Sequence, residues 1–235
     1  MEEPEIVLEV RGLVRRFGQL DAVAGIDLNV SRGEVVALLG PNGAGKTTTL
    51  TCVAGILAPT SGTICVAGEH ERTARERRVA FVPEIPVVYD DLTPAEHLAF
   101  VAAGRRVADA AATVSRALER TGLVEHRDRA AGTLSKGNRQ RLCLAGALVA
   151  GADLVVLDEP TTGLDPAAQH ALVALVRELA AGGAAVVVST HALATAFDVA
   201  DRVVVLVAGR IALDEPVRGF PDLDALRAAY LRVAA

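Results

Sequence analysis

Runs of β-branched and aliphatic residues recur at 6–10, 35–39, 79–82, 154–157, 185–189 and 202–207, and for most of the chain they alternate with segments of helix length. That alternation predicts an α/β fold built on a mostly parallel sheet, with ligands gathering at the carboxyl ends of its strands. The first thirty or so residues differ, because strand-like pieces follow one another there without an intervening helix. They predict a small antiparallel sheet beside the main one. From about 84 to 150 the pattern is helical only. It begins at Thr93-Pro94-Ala95-Glu96, which offers an N-cap, a proline for the first helical position and a capping-box glutamate. Further helices are expected over 109–121 and 136–149, and an amphipathic closing helix over 221–235. The chain therefore reads as a single domain, 1–235, with core segments 1–83 and 150–220 and a helical insertion at about 84–149.

At 235 residues with 51% hydrophobic and 23% charged content, the chain is expected to fold as a well-packed globular protein without cross-links. Cys52, Cys65 and Cys143 are odd in number, far apart and set among apolar neighbours, which suits reduced buried thiols in a cytoplasm rather than disulfides or a zinc site. No stretch reaches the roughly eighteen apolar residues of a spanning helix. The acidic start Met-Glu-Glu-Pro-Glu is unlike a signal peptide, so the expectation is a soluble chain. A net charge of −5 gives no reason to expect nucleic acid, and the mixed charges of residues 69–78 suit a solvated face.

Candidate chemistry begins after the second apolar run. Gly40-Pro41-Asn42-Gly43-Ala44-Gly45-Lys46-Thr47-Thr48 is a complete GxxxxGKT loop between a strand and a helix that starts at Lys46. The glycines permit a backbone that wraps successive N–H groups around an anion, and the helix turns its positive end to the same place. Such a loop is expected to bind a nucleoside triphosphate, with Lys46 on the terminal phosphates and Thr47 Oγ1 on Mg2+. Arginine carries nearly all the positive charge, and the only lysines are Lys46 and Lys136. Lysine is thus kept where a compact ammonium matters.

The run 154–157 ends in Asp158 and Glu159. Beside a phosphate loop, Asp158 is expected to hold Mg2+ and Glu159 to act as general base on the attacking water. Leu134-Ser135-Lys136-Gly137-Asn138-Arg139-Gln140 places a serine and a glycine at the head of the third inserted helix. Ser135 is an ordinary N-cap in form, and the exposed N–H groups around it would make a second anion site. Two such sites can share one nucleotide if they lie on different subunits.

Together these segments resemble the nucleotide-binding domain of ABC ATPases over nearly the whole chain. Residues 40–48 match Walker A, 134–140 the LSGGQ-type signature, 154–159 Walker B, 162–165 the D-loop, and His191 the switch histidine. The resemblance implies a P-loop NTPase fold and an ATP hydrolase. It also implies that Phe17 stacks on adenine, that Ser135, Gly137, Gln140 and Asp165 contribute to the nucleotide site, and that His191 contacts the γ-phosphate. ATP is favoured over GTP because no Asn-Lys-x-Asp motif is present. Two departures stand out. The family usually has glutamine where Glu84 stands, a carboxylate that could still ligate Mg2+ while adding negative charge. The signature carries Lys136 and Asn138 where glycines are typical.

The resemblance further implies a homodimer or heterodimer of ATPase subunits that sandwiches ATP and powers a separate integral membrane permease. That permease would dock on the insertion around 84–134 at the cytoplasmic face of the membrane, in a system of bacterial export type. The alternatives are a soluble ABC protein acting on ribosomes or DNA, and a P-loop kinase of small molecules.

Overall fold

The computed structural model describes residues 5–234. The first half runs β1 (Ile6–Phe17), β2 (Leu20–Ser31), β3 (Val35–Leu39), α1 (Lys46–Val53), β4 (Ser61–Val66), α2 (Arg72–Glu76), β5 (Val79–Val82), α3 (Pro94–Arg105), α4 (Ala110–Arg120) and α5 (Lys136–Ala150). It continues with β6 (Leu154–Asp158), α6 (Pro166–Ala181), β7 (Ala185–Ser189), α7 (Leu193–Val199), β8 (Arg202–Val207), β9 (Arg210–Pro216) and α8 (Leu223–Ala234).

In β2 the buried Ile26, Leu28 and Val30 alternate with outward-facing residues, as a strand with one covered face requires. β2, β1 and β4 form an antiparallel sheet in that order. The antiparallel pairing of β1 with β2 agrees with the pattern of the first thirty residues. β4 was not legible, because it joins this sheet only after the chain has passed through β3 and α1.

The second sheet has the order β5-β6-β7-β3-β8-β9, parallel except for the edge strand β9. β3, β6 and β7 are buried at every position, which is why they read as unbroken apolar runs. Successive residues nevertheless serve different cores. Val36 and Leu38 pack with α1 and the antiparallel sheet, whereas Val35, Ala37 and Leu39 pack with α6, α7 and α8. Full burial of a Val or Leu side chain contributes about 1.5–3 kcal/mol, so both faces of these central strands add to stability.

The inserted helices α3, α4 and α5 bury a third cluster of their own, including Leu98, Leu118, Leu123 and Leu142. The start of α3 is closed by the expected box. Glu96 N donates to Thr93 Oγ1 at 3.2 Å, and Thr93 N donates to Glu96 Oε2 at 2.9 Å. Residues 84–93, inside the segment read as helical, form no helix; α3 follows them. Within 69–78 one residue departs from the solvated reading. Arg75 is buried and donates from Nη1 to Ile64 O at 3.1 Å. Of the expected closing helix, residues 223–234 are helical, and Ala235 lies outside the described residues, as do residues 1–4 of the acidic start. Among the described residues, no helix is long and apolar enough to cross a membrane.

The strand order matters most for chemistry. β7 lies between β6 and β3, so the carboxyl ends of three strands far apart in sequence stand side by side.

Candidate active site

β3 delivers the loop 40–48, and α1 starts from it at Lys46. Two glycines are dictated by neighbours as well as by torsion. Gly40, at φ +150°, faces the carbonyl of Leu206 so closely that a Cβ would collide with it. Gly45, at φ +102°, meets the carbonyl of Ala22 in the same way. The loop is also braced from behind: Gly209 N donates to Ala44 O at 3.0 Å, and Ala24 N donates to Gly209 O at 2.8 Å. Strand β2 and the β8–β9 turn therefore hold the loop's shape, a contribution the motif itself does not reveal.

Lys46 is buried at 7% exposure. Its Nζ donates to Gly40 O at 2.7 Å and lies 3.8 Å from Glu159 Oε1. Asp158, the last residue of β6, is 3% exposed and accepts a 2.6 Å hydrogen bond from Ser189 Oγ at the end of β7. The same Ser189 oxygen accepts from Glu159 N at 2.9 Å. Glu159 adopts φ +45°, uncommon for a residue with a side chain and costing about 1–3 kcal/mol unless neighbours hold it. The Ser189 bond is one such restraint. Its carboxylate accepts from His191 Nδ1 at 2.9 Å on the other side, so Lys46, Glu159 and His191 form one chain of charge and hydrogen bonds.

A cavity of about 380 Å³ opens above the loop, lined by Phe17, Leu20, Asn42–Thr48, Glu84 and Glu159 among others. Phe17 ends β1 and is 47% exposed, with the Arg15 guanidinium 4.5 Å over its ring. That cation–π contact holds the ring in place while leaving much of it free. Thr47 and Glu84 bring hard oxygen donors to this cavity, whereas the buried Asp158 does not line it and precedes Glu159, which does. That donor chemistry fits Mg2+, which takes few protein ligands and keeps waters and phosphate oxygens for the rest.

Ser135, Gly137, Gln140 and Asp165 do not line this cavity. Ser135 caps α5, accepting from Asn138 N at 3.3 Å. Asn138, one of the two departures in the signature, donates its side-chain amide to His126 Nε2 at 2.9 Å. Gln140 is only 3% exposed and both of its amide atoms are buried without partners. In this conformation it presents no polar atom at the surface where Ser135 lies. Asp165 caps α6, accepting from Ala168 N at 2.9 Å.

The residue that sequence reasoning missed is Ser189. Its only signal was a hydroxyl ending an apolar strand, parallel to the way Asp158 ends its own.

Residues 23–162 match the family described as ABC transporter. The chain belongs to the ABC transporter family of ATP-binding proteins. It is 36% identical over 230 residues to the SkfA peptide export ATP-binding protein SkfE of Bacillus subtilis, an alignment spanning 97% of this chain and 96% of that one. A solved ATP-binding subunit of an ABC transporter superposes with a TM-score of 0.84 at 33% identity, covering 97% of this chain and 95% of the other. A dimeric ATP-binding cassette in a post-hydrolysis state, bound to ADP and Pi, superposes at 0.82 with 25% identity, covering 91% of this chain and all of that one. The protein is thus an ABC-type ATP hydrolase coupled to transport, and an ATP-binding subunit of a transporter. The similarity to transport subunits gives no support to a ribosome- or DNA-acting protein.

Proposed function

We propose that two ATPase subunits, of this chain or of this chain and a partner, clasp ATP between the phosphate loop of one and the α5 start of the other, and that hydrolysis releases them. The observation that carries this reading is the Lys46–Glu159–His191 chain, whose Lys46 and Glu159 line the loop cavity. In it, Lys46 and the N–H groups of residues 40–48 hold the phosphates, and Phe17 stacks on the adenine. Mg2+, held by Thr47, Asp158 and Glu84, would neutralise phosphate charge as the terminal group departs. Glu159 takes the proton of the attacking water, an effect worth about 10²–10⁴ in rate. His191, hydrogen-bonded to that carboxylate, orients it and contacts the γ-phosphate. Ser135, Gly137, Gln140 and Asp165 would complete the site from the opposing subunit, Gln140 only after a shift that frees its amide.

The work is delivered to a separate membrane-spanning subunit, in a system of export type as in the SkfE relative. A surface suited to that partner lies at the junction of the sheet and the helical insertion. Ile85, Val87, Tyr89 and Phe100 are exposed at 75%, 73%, 55% and 59%, and Tyr89 meets Phe100 edge-on with ring centroids 5.3 Å apart. Large apolar side chains clustered in water mark an interaction site. The protein would then sit peripherally on the cytoplasmic face of the membrane.

Glu159→Gln tests the core of this reading. It should keep ATP binding, accumulate an ATP-bound dimer in sedimentation and lower turnover by two or more orders of magnitude, consistent with the loss of a general base. Normal steady-state hydrolysis by the variant would refute the role of Glu159. Recovery of one membrane protein with the chain from detergent-solubilised cells, and its loss on Tyr89→Asp, would test the docking surface.

A further inference from the structure

Lys136 is one of only two lysines in the chain, and unlike Lys46 it joins no ion pair among the described residues. It is the first residue of α5 and is exposed, and its side chain lies over Gly163 in the segment after β6. A Cβ on Gly163 would stand 3.3 Å from Lys136 Nζ, and the glycine's φ of +79° disfavours any side chain there, so glycine at 163 leaves the room that the ammonium occupies. Lys136 does not line the nucleotide cavity of its own subunit. Glu84 does line that cavity, beside Lys46, Thr47 and Glu159, and it too joins no ion pair among the described residues. Each subunit thus carries an unpaired anion where a polyanion would bind, and among its several unpaired cations Lys136 is the one that starts α5.

We infer that Lys136 and Glu84 compensate one another across the subunit boundary, Lys136 of one copy and Glu84 of the other acting on the same triphosphate. The inference rests on the proposed ATP sandwich, in which the α5 start of one subunit faces the phosphate loop of the other. Glu84 opposes binding of nucleotide without metal to a single subunit. Lys136 returns a positive charge only when two subunits close. Metal-loaded triphosphate is therefore the species that drives closure, and the closed dimer depends on a cation that glycine at the same position would not supply. The effect is Coulombic: one unit charge several ångströms from another, partly screened, changes an equilibrium by about tenfold.

The test is a double-mutant cycle in the full chain: wild type, Glu84→Gln, Lys136→Gly and the double variant, each with the slowly hydrolysed analogue AMP-PNP. Calorimetry at low protein concentration reads nucleotide affinity with and without Mg2+, and sedimentation reads the nucleotide-driven dimer at several salt concentrations. Glu84→Gln should strengthen metal-free binding by about tenfold. Lys136→Gly should weaken the Mg2+-nucleotide dimer by about tenfold per nucleotide, but by only about threefold when Glu84 is already Gln, because part of its attraction has gone. Lys136→Arg should retain the dimer, since charge and reach are kept. Equal losses from Lys136→Gly in both backgrounds would overturn the inference, as would failure of Lys136→Arg to retain the dimer. A wild-type chain that binds AMP-PNP yet never dimerises would instead overturn the sandwich itself. A merely structural role for Lys136 over Gly163 would not respond to the charge of Glu84.

Discussion

Ser189→Ala removes one oxygen that performs two tasks, donating to Asp158 Oδ1 at 2.6 Å and accepting from Glu159 N at 2.9 Å. Ser189 is fully buried, so no solvent replaces either bond. Loss of a hydrogen bond to a charged group costs about 1.5–3 kcal/mol, and a buried N–H left unpaired costs about 1–3 kcal/mol. Because the two share one atom they will not add fully, and a net destabilisation of about 2–4 kcal/mol is expected from these terms. Function should suffer separately. Asp158 loses the contact that fixes its carboxylate, and Glu159 loses a restraint on its φ of +45°. Positioning contacts of this kind around a metal ligand are worth about 10–100-fold in affinity. Urea unfolding gives the first quantity, and Mg2+ titration of ATP hydrolysis gives the second. A stability change within about 0.5 kcal/mol, the range of an ordinary surface substitution, together with an unshifted Mg2+ midpoint, would refute the claim that Ser189 organises the two acids.

Lys46→Ala should weaken ATP binding itself, by tenfold or more as expected for loss of a charged contact worth about 1.5–3 kcal/mol; unchanged affinity in a calorimetric titration would reject its phosphate role. His97 is 7% exposed with Nδ1 unpaired, and burial lowers its pKa below the ordinary value, so the folded state resists the charged form. Fewer protons are then bound folded than unfolded as pH drops below the unfolded value of about 6.5, and stability should fall with a slope of at most about 1.4 kcal/mol per pH unit until the lowered folded pKa is passed. His97→Leu should flatten that part of the urea-midpoint profile between pH 7 and 5, and an identical slope in both proteins would exclude His97. Cys143, whose thiol burial pushes up to about 11, should resist alkylation by iodoacetamide at pH 8 in the folded protein. Labelling at the rate of a free thiol would contradict that burial.

Much of the site was readable from residue order because its chemistry is local. A phosphate loop needs glycines and a lysine at set spacing on one strand–helix turn, and the acids follow directly from the strand that presents them. Two caps were equally local, Thr93 and Ser135 each accepting a hydrogen bond from the N–H three residues on, whereas the same role of Asp165 came only from the structure. What escaped were contacts between segments remote in sequence. β4 was missed because its pairing with β1 spans the whole of β3 and α1. Ser189 was missed because nothing near position 189 signals that Asp158 will lie beside it, 31 residues earlier. The buried state of Gln140 depends on how α5 packs within the folded chain, which no periodicity encodes.

The sequence alone determined the five parallel strands of the main sheet, the place where a glycine-rich loop leaves a strand for a helix, and the side chains that bring hard oxygen donors and a lysine to that loop, since each of these follows from torsional freedom, apolar periodicity or the donor atoms of neighbouring residues. Tertiary structure decided that β7 would lie between β3 and β6, and with that placement came the link from Lys46 through Glu159 to His191 and the tie from Ser189 to both acids. The reason is physical. Strand order is set by how three apolar cores are shared across the faces of the sheet and the inserted helices, and that sharing is a property of the folded whole rather than of any segment.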